Sequence, residues 1–515
     1  MPNESPLRPS RPAARPDEAA ELSQGRAQLI AQVKDLAWAG RHRAAIDLAG
    51  TALAPDASAP FDADARLDLL DLRAESLVAQ GELAQAAADA AAMKRIAQRT
   101  RSAAHEALSA NREAILQIRN GKPRAALATA GVALKSSQRS GNALLEAQSL
   151  IVLAEAQFRS RKDLGGALAQ ATRAAALFEA QGDPVQHGRS LWVLASVHNT
   201  RGQPADADRI AAHALAVGRR CGDLLGQGNA LNLLTFNSAD LAARLSLLKQ
   251  SLAAFEAAGY VERQGNVVLN LGRAHEALGL YPRARRLLLQ ALELMRSTGS
   301  DGPMLGANFT LAFFEARRGQ VDAARAYAAQ ALAQANALQS ARATPYRAVL
   351  AGELALCEGD SHEAARQFER AVRLVPKGQD ALLMTCLSDT AHAHLAAGHV
   401  EPALAASRSA TQLHVAKGMT ALDGLEPITL WWRHSQALQV AGQGYAAHEA
   451  LQHAYRFLCE RIQGLSDEGL RRNFLNKKRE HREIVLAWLH AARERRLPLP
   501  QRQAHLSGKA NLREP

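Results

Sequence analysis

Small apolar residues recur along the chain at a fixed spacing. A glycine is followed by alanine five residues later and by a second alanine twelve residues later, usually just before another apolar residue. The pattern reads GRHRAAIDLAGTAL from Gly40, GKPRAALATAGVAL from Gly121 and GQPADADRIAAHAL from Gly202. It continues as GLYPRARRLLLQAL from Gly279, GQVDAARAYAAQAL from Gly319 and GDSHEAARQFERAV from Gly359. Gly398 (with Ala403 and Ala410) and Gly442 (with Ala447 and Ala454) begin two more copies, and Gly81 keeps Ala86 but has Met93 at the later position. Two copies lack the glycine, one around Lys162 with Ala167 and Ala174 and a degenerate one near Ala239. The eleven units are spaced about forty residues apart, the signature of a repeat array.

The spacing predicts a helical hairpin per unit. Glycine tolerates the positive φ needed where a first helix ends. The alanine at +5 sits where the paired helices come closest, and the one at +12 lies two turns further along the same face, against the next unit. Pro123, Pro204, Pro282 and Pro402 follow a repeat glycine by two to four residues, in the first turn of the second helix, where a missing N–H costs nothing. Pro184, Pro303, Pro345, Pro376 and Pro427 fall between units or in an opening turn. The expected fold is an all-α, right-handed solenoid of about eleven hairpins over 17–463, with a C-terminal capping helix over 464–497.

Composition sharpens this picture. Of 515 residues, 47% are apolar but only 4% aromatic, which suits close helix packing and disfavours strands. No apolar run is long enough for a transmembrane helix, and the Pro/Arg-rich start has no apolar core of the kind a secretory signal needs. The net charge of +12 is concentrated at the ends: residues 1–16 carry +2 and 465–515 carry +6. A nucleic-acid surface would concentrate Lys and Arg on one face of the folded part, so nucleic acid is not the expected partner. Residues 1–16 are expected to be a disordered basic arm and 498–515 a flexible tail or linker. Cys221, Cys357, Cys386 and Cys459 are too widely spaced for a zinc knuckle or disulfide framework and read as small buried apolar residues.

Catalytic patterns are absent or incomplete. HEAL occurs at His105, His275 and His448, but a zinc helix needs a second His four residues on, where Ser109, Gly279 and Gln452 stand. His392 and His394, two apart, face opposing sides of a helix and read as a packed or solvated pair. There is no Walker-type loop and no G-x-S-x-G, and Ser246 with Lys249 forms an S-x-x-K without its companion motifs. No enzyme activity, cofactor or metal is expected. The inner face of the array offers Asn266, Asn270 and Arg273 on one helical stripe, and Asn229 and Asn232 ahead of Phe236 on the stripe before it. Asparagine can pair with a peptide backbone and arginine can clamp a carboxylate, so these five are the candidate binding residues.

The stretch NLGRAHEALGLYPRARRLLLQAL (Asn270 to Leu292) resembles a tetratricopeptide repeat, with Leu271, Gly272, Gly279, Tyr281, Ala284 and Ala291 in signature positions. The resemblance extends over about residues 25 to 460, but the period is near forty instead of thirty-four, as in the longer repeats of MalT-like bacterial regulators. Armadillo or HEAT repeats share the length without this glycine–alanine spacing. Two segments, Ala230 to Gln264 and Leu465 to Pro498, look like sensor regions of bacterial signalling proteins, where such repeats precede a GAF domain and an output module. In the second, Ser466 is the expected N-cap, and Leu470, Phe474, Leu475, Ile484, Leu486 and Leu489 form an apolar stripe. The resemblance implies a cytoplasmic, non-catalytic scaffold or sensor that binds a protein or peptide segment in its concave groove, with a GAF-containing kinase, cyclase or regulator among its partners. The alternative is the regulatory N-terminal half of a nucleotide cyclase or histidine kinase whose output domain is absent from this chain.

Overall fold

The computed structural model describes residues 16–54, 61–238, 240–299, 301–340, 343–419, 424–465 and 467–507, with side chains from residue 24 onward. The expected basic arm over 1–16, apart from Pro16, and the N-cap expected of Ser466 lie outside the described residues. Among the described residues all regular structure is helical. Eleven antiparallel hairpins follow one another: α1 (Pro16–Trp38) with α2 (His42–Ala52), α3 (Ala63–Gln80) with α4 (Leu83–Thr100), α5 (Ala103–Arg119) with α6 (Pro123–Ser140), and α7 (Ala143–Ser160) with α8 (Leu164–Ala180). Then come α9 (Pro184–Thr200) with α10 (Pro204–Cys221), α11 (Leu224–Leu234) with α12 (Leu241–Ala257), α13 (Val261–Ala277) with α14 (Tyr281–Ser297), and α15 (Asp301–Ala316) with α16 (Val321–Ala337). The last three are α17 (Ala343–Glu358) with α18 (Ser361–Leu374), α19 (Asp380–Ala396) with α20 (Val400–Ala416), and α21 (Pro427–Val440) with α22 (Gly444–Gln463).

Each repeat glycine from Gly40 to Gly442 occupies the left-handed region, with φ between 71° and 85°. A second glycine set does the same after second helices, at Gly141, Gly182, Gly222, Gly259, Gly299 and Gly418; Arg101 and Gln339 adopt that conformation at equivalent ends. The chain therefore reverses about every twenty residues, and the forty-residue period is two such reversals. The alanines at +5 and +12 are buried in every glycine-led unit that has them, from Ala45 and Ala52 to Ala447 and Ala454.

Packing within hairpins follows a size rule that the sequence pattern had concealed. The residue nine after the turn glycine faces the residue seven before it. In several units both are alanine and share one apolar cluster, as Ala114 with Ala130 and Ala312 with Ala328. Where the later residue is large, the earlier one is glycine: a Cβ on Gly352 would lie 2.7 Å from Phe368 Cε1, and one on Gly272 would lie 2.7 Å from Leu288 Cδ2. Gly352→Leu is therefore expected to destabilise by about 1–3 kcal/mol through overpacking, more than the ~0.8 kcal/mol gained in helix propensity. In a denaturant double-mutant cycle, Gly352→Leu with Phe368→Ala should be more stable than the two single effects summed. Additive losses would refute the pairing.

The C-terminal end departs from expectation. In place of one capping helix there are two, α23 (Glu468–Lys477) and α24 (Arg479–Glu494), because Lys478 is extended at φ −87° and ψ 121°. Asp467 caps α23 by accepting from Leu470 N at 2.7 Å. The break shifts the apolar stripe to Phe474, Ile484, Trp488 and Ala492, and leaves Leu486 exposed. Nor is the expected tail free along its length. Short helices α25 (Leu499–Arg502) and α26 (Ala504–Ser507) fold back, placing His505 N and Nδ1 at 3.0 and 2.8 Å from the Tyr455 hydroxyl, and Tyr455 stacks on Trp488 at 4.4 Å.

First helices of neighbouring hairpins pack on one another while second helices do not pack closely, so the array curves with first helices inside. The curvature closes. Gly40 meets Ala258 and Gly259 backbone to backbone, Gly81 meets Thr298, Gly121 meets Gly302, and Gly279 meets Lys477 on α23. One superhelical turn thus takes about five hairpins, and successive turns touch along a seam. His42 fixes its start: Nε2 donates to Ala258 O at 3.0 Å, leaving Nδ1 to pair with Ser76 Oγ at 3.2 Å. Gln80 Nε2 adds a bond to Gly259 O at 2.9 Å. The concave groove expected from the repeat pattern is the inside of this wound superhelix.

Candidate functional site

First helices carry their charged and amide side chains to this interior, where polar bonds run from one hairpin to the next. Arg112 Nε donates to Asp71 Oδ1 at 2.7 Å, Asn111 Nδ2 to Ser149 Oγ at 3.0 Å, and Arg119 to Glu155 Oε1 at 3.1 Å. Arg189 holds Asp223 in a two-point fork of 2.9 and 3.0 Å. Beside the seam between the two turns, Tyr260 donates its hydroxyl proton to Glu75 Oε1 at 3.1 Å, a contact between residues 185 apart in sequence. Arg112 and Arg189 each stand 3.8 Å from Glu75. Burial pushes the Glu75 carboxyl up, but Arg112, Arg189 and the Tyr260 hydroxyl outweigh it and hold the group below its ordinary value.

A second knot lies about two helical turns further along α5. Glu155 accepts from Arg119 and from Arg159 Nε at 2.7 Å, with Arg263 nearby. Burial opposes ionisation of Glu155, yet the three guanidiniums together bring it down to about 2. Burial and the facing Arg119 pull Arg263 down to about 10, and its guanidinium lies 5.8 Å from the centroid of the Trp192 ring. The second superhelical turn repeats the arrangement: Arg317 pairs with Glu353 at 3.2 Å and Arg433 with Asp389 at 2.5 Å. Beside Arg433, His392 is pulled down to about 4, by that guanidinium first and by burial second.

These groups are enclosed without being dry. Protein surrounds Glu75 and Arg317, yet their side chains keep 39% and 53% of their surface accessible. The interior therefore keeps solvent access and is lined by fixed charges of both signs, Arg112, Arg119, Arg159, Arg189 and Arg263 against Asp71, Glu75, Glu155, Asp223 and Glu262, around the first superhelical turn and its junction with the second.

The five residues expected to bind are placed unevenly. Asn270 Nδ2 donates to Asn232 Oδ1 at 3.1 Å, joining α13 to α11. Asn229 is buried, Asn266 is half-buried, and Arg273 is exposed further along the α13 stripe that begins with Arg263. The sequence reading passed over the charged lining of Asp71, Glu75, Arg112, Arg119, Glu155, Arg189 and Tyr260. Its one signal is opposite charges at separations near the repeat period, such as Asp71 with Arg112 and Arg119 with Glu155. The HEAL histidines have ordinary partners: His105 Nε2 meets Asp64 at 2.5 Å, His275 Nδ1 donates to Leu271 O at 2.7 Å, and His448 stacks on Trp488 at 6.0 Å. Cys386 and Cys459 are buried as expected, but Cys221 and Cys357 are only half-buried. No described helix is long and apolar enough to cross a membrane.

Hairpins of this geometry, stacked with first helices inside, make the chain a tetratricopeptide-like α-solenoid. No model of a known protein family matches it. Over 149 residues it is 32% identical to regulatory protein AfsR of Streptomyces griseus, a match spanning 27% of this chain and 15% of that protein. Its fold is similar to that of a Rap protein crystallised with competence and sporulation factor: the two are 15% identical with a TM-score of 0.53, over 70% of this chain and 99% of the Rap chain.

Proposed function

We propose that this chain is a non-catalytic sensor module of bacterial signal transduction, working in the cytoplasm, that takes a protein or peptide segment into its interior channel. The observation that carries the proposal is the enclosed but accessible lining. Charged groups fixed by their neighbours on three or four helices can recognise an extended segment without first being ordered themselves, which lowers the entropic cost of binding. Asn232, Asn270 and Arg273 extend that lining with amide groups and an exposed guanidinium able to clamp a carboxylate. The stretch of similarity to a regulatory protein supports the regulatory half of the proposal. The partner is a GAF-containing kinase, cyclase or regulator.

Cross-linking of the tagged chain in its own cytoplasm, followed by mass spectrometry, tests this. A GAF-containing signalling protein should be captured by the wild type, and at least tenfold less by Asn270→Ala/Arg273→Ala, given about 1.5–3 kcal/mol for a charge-assisted hydrogen bond. Equal capture by both chains would remove the contact from the channel. Recovery of nucleic acid instead would move the function to the basic ends.

A further inference from the structure

At the turn edge shared by the ninth and tenth hairpins, three histidines from three helices come together. His362 is the second residue of α18, His394 lies near the end of α19, and His399 is the N-cap of α20. His394 Nδ1 and His399 Nδ1 stand 3.3 Å apart, and Glu369 Oε1 accepts from His394 Nε2 at 3.0 Å. The His362 and His399 ring centroids are 5.0 Å apart, and those of His394 and His399 are 5.6 Å apart. None of these rings caps a helix: the His399 side chain makes no capping bond to α20.

At 3.3 Å the two Nδ1 atoms are within hydrogen-bond reach of one another. These distances are also those of nitrogens that share one cation. Two zinc–nitrogen bonds of about 2.05 Å opened to the tetrahedral angle place their nitrogens about 3.3 Å apart, and the ring centroids about 5 Å apart. Glu369 holds the Nε2 proton of His394, which fixes the tautomer and leaves the Nδ1 lone pair directed at His399; this is the outer-sphere carboxylate that zinc-bound imidazoles commonly have. His394 is buried and set, whereas His362 and His399 are exposed. Among the described residues no three His, Cys, Asp or Glu side chains already converge on one point. The exposed His362 ring, 5.0 Å from that of His399, is the third ligand the site requires, and its side chain must turn to complete it.

We propose that His362, His394 and His399 bind one zinc-class divalent cation, with water completing the tetrahedron, and that the ion clamps the ninth hairpin to the tenth. The inference does not depend on the channel's ligand. Cobalt(II), titrated into the untagged full chain, is the probe, because its visible d–d absorption reports tetrahedral nitrogen ligation. One equivalent should give that absorption, zinc should displace it, and the loaded chain should melt at a higher temperature. Glu369→Gln should weaken the affinity 10–100-fold through lost orientation of His394. His399→Ala, at an exposed position, should abolish the signal with unchanged far-UV circular dichroism, and His362→Gln should lower its intensity. His213→Ala, in the separate pair formed by His187 and His213 at 6.0 Å, should leave it intact. Absence of tetrahedral absorption in the wild type, or its survival in His399→Ala, would overturn the proposal.

Discussion

Replacing Glu155 with alanine is expected to cost about 3–5 kcal/mol of stability, the range for removing one partner of a buried ion pair. The side chain is 8% exposed and is bonded to both Arg119 and Arg159, with Arg263 as a third cation alongside. Without the carboxylate, three guanidiniums would share an enclosed site with less to balance them. Removing both sides of the Arg119 pair, with Glu155→Leu and Arg119→Met together, should recover part of the loss, because Arg119 is no longer a charge left without its partner while Arg159 still is. The same carboxylate sets an acid limit. Its folded value of about 2 lies below the ordinary 4.5, so its contribution is complete above pH 4.5 and is lost as pH falls from there towards 2. The wild type should lose about 3 kcal/mol across that window relative to Glu155→Gln, a difference read from urea titrations at successive pH values. Parallel stability profiles for the two chains would show that Glu155 is not held by its arginines.

Gly81→Leu is expected to open the superhelix without unfolding its hairpins. Gly81 has φ +81°, and a Cβ there would collide with Thr298, whose Cα would lie only 2.5 Å away. Leucine in that conformation costs about 1–2 kcal/mol, and the overlap a further ~1–3 kcal/mol. The cheapest relief is separation of the second hairpin from the seventh, because each hairpin keeps its own neighbours when the seam parts. Far-UV circular dichroism should therefore be nearly unchanged, while small-angle scattering should give a larger radius of gyration. Changing Thr298 to glycine in the same chain should return part of that increase by removing the overlap but not the backbone strain. An unaltered radius of gyration in Gly81→Leu would mean that the seam does not hold in solution.

Local structure was legible in the sequence because its causes are local. Gly40, Gly121, Gly202 and their equivalents mark reversals that only a left-handed residue makes easily, and the alanines five and twelve residues on mark where two helices must approach. Nine of the eleven hairpins follow from those positions alone. The pairing of Asn232 with Asn270 also followed a repeat interval, although the sequence did not reveal that the two amides bond to each other. At the C-terminal end the periodicity misled. A stripe from Leu470 to Leu489 reads as one helix only if its phase is continuous, and the extended Lys478 resets that phase so that Trp488 faces inward and Leu486 outward.

The amino-acid order by itself determined the period, the turns and the burial of the small residues. Only the tertiary structure decided that the solenoid closes on itself, that Tyr260 meets Glu75, and that Glu155 becomes the centre of three arginines. The physical reason lies in how each is set. A turn depends on one residue's φ, whereas closure is the sum of small rotations within and between successive hairpins, set by side-chain volumes such as Gly352 against Phe368, and no short stretch of sequence contains that sum.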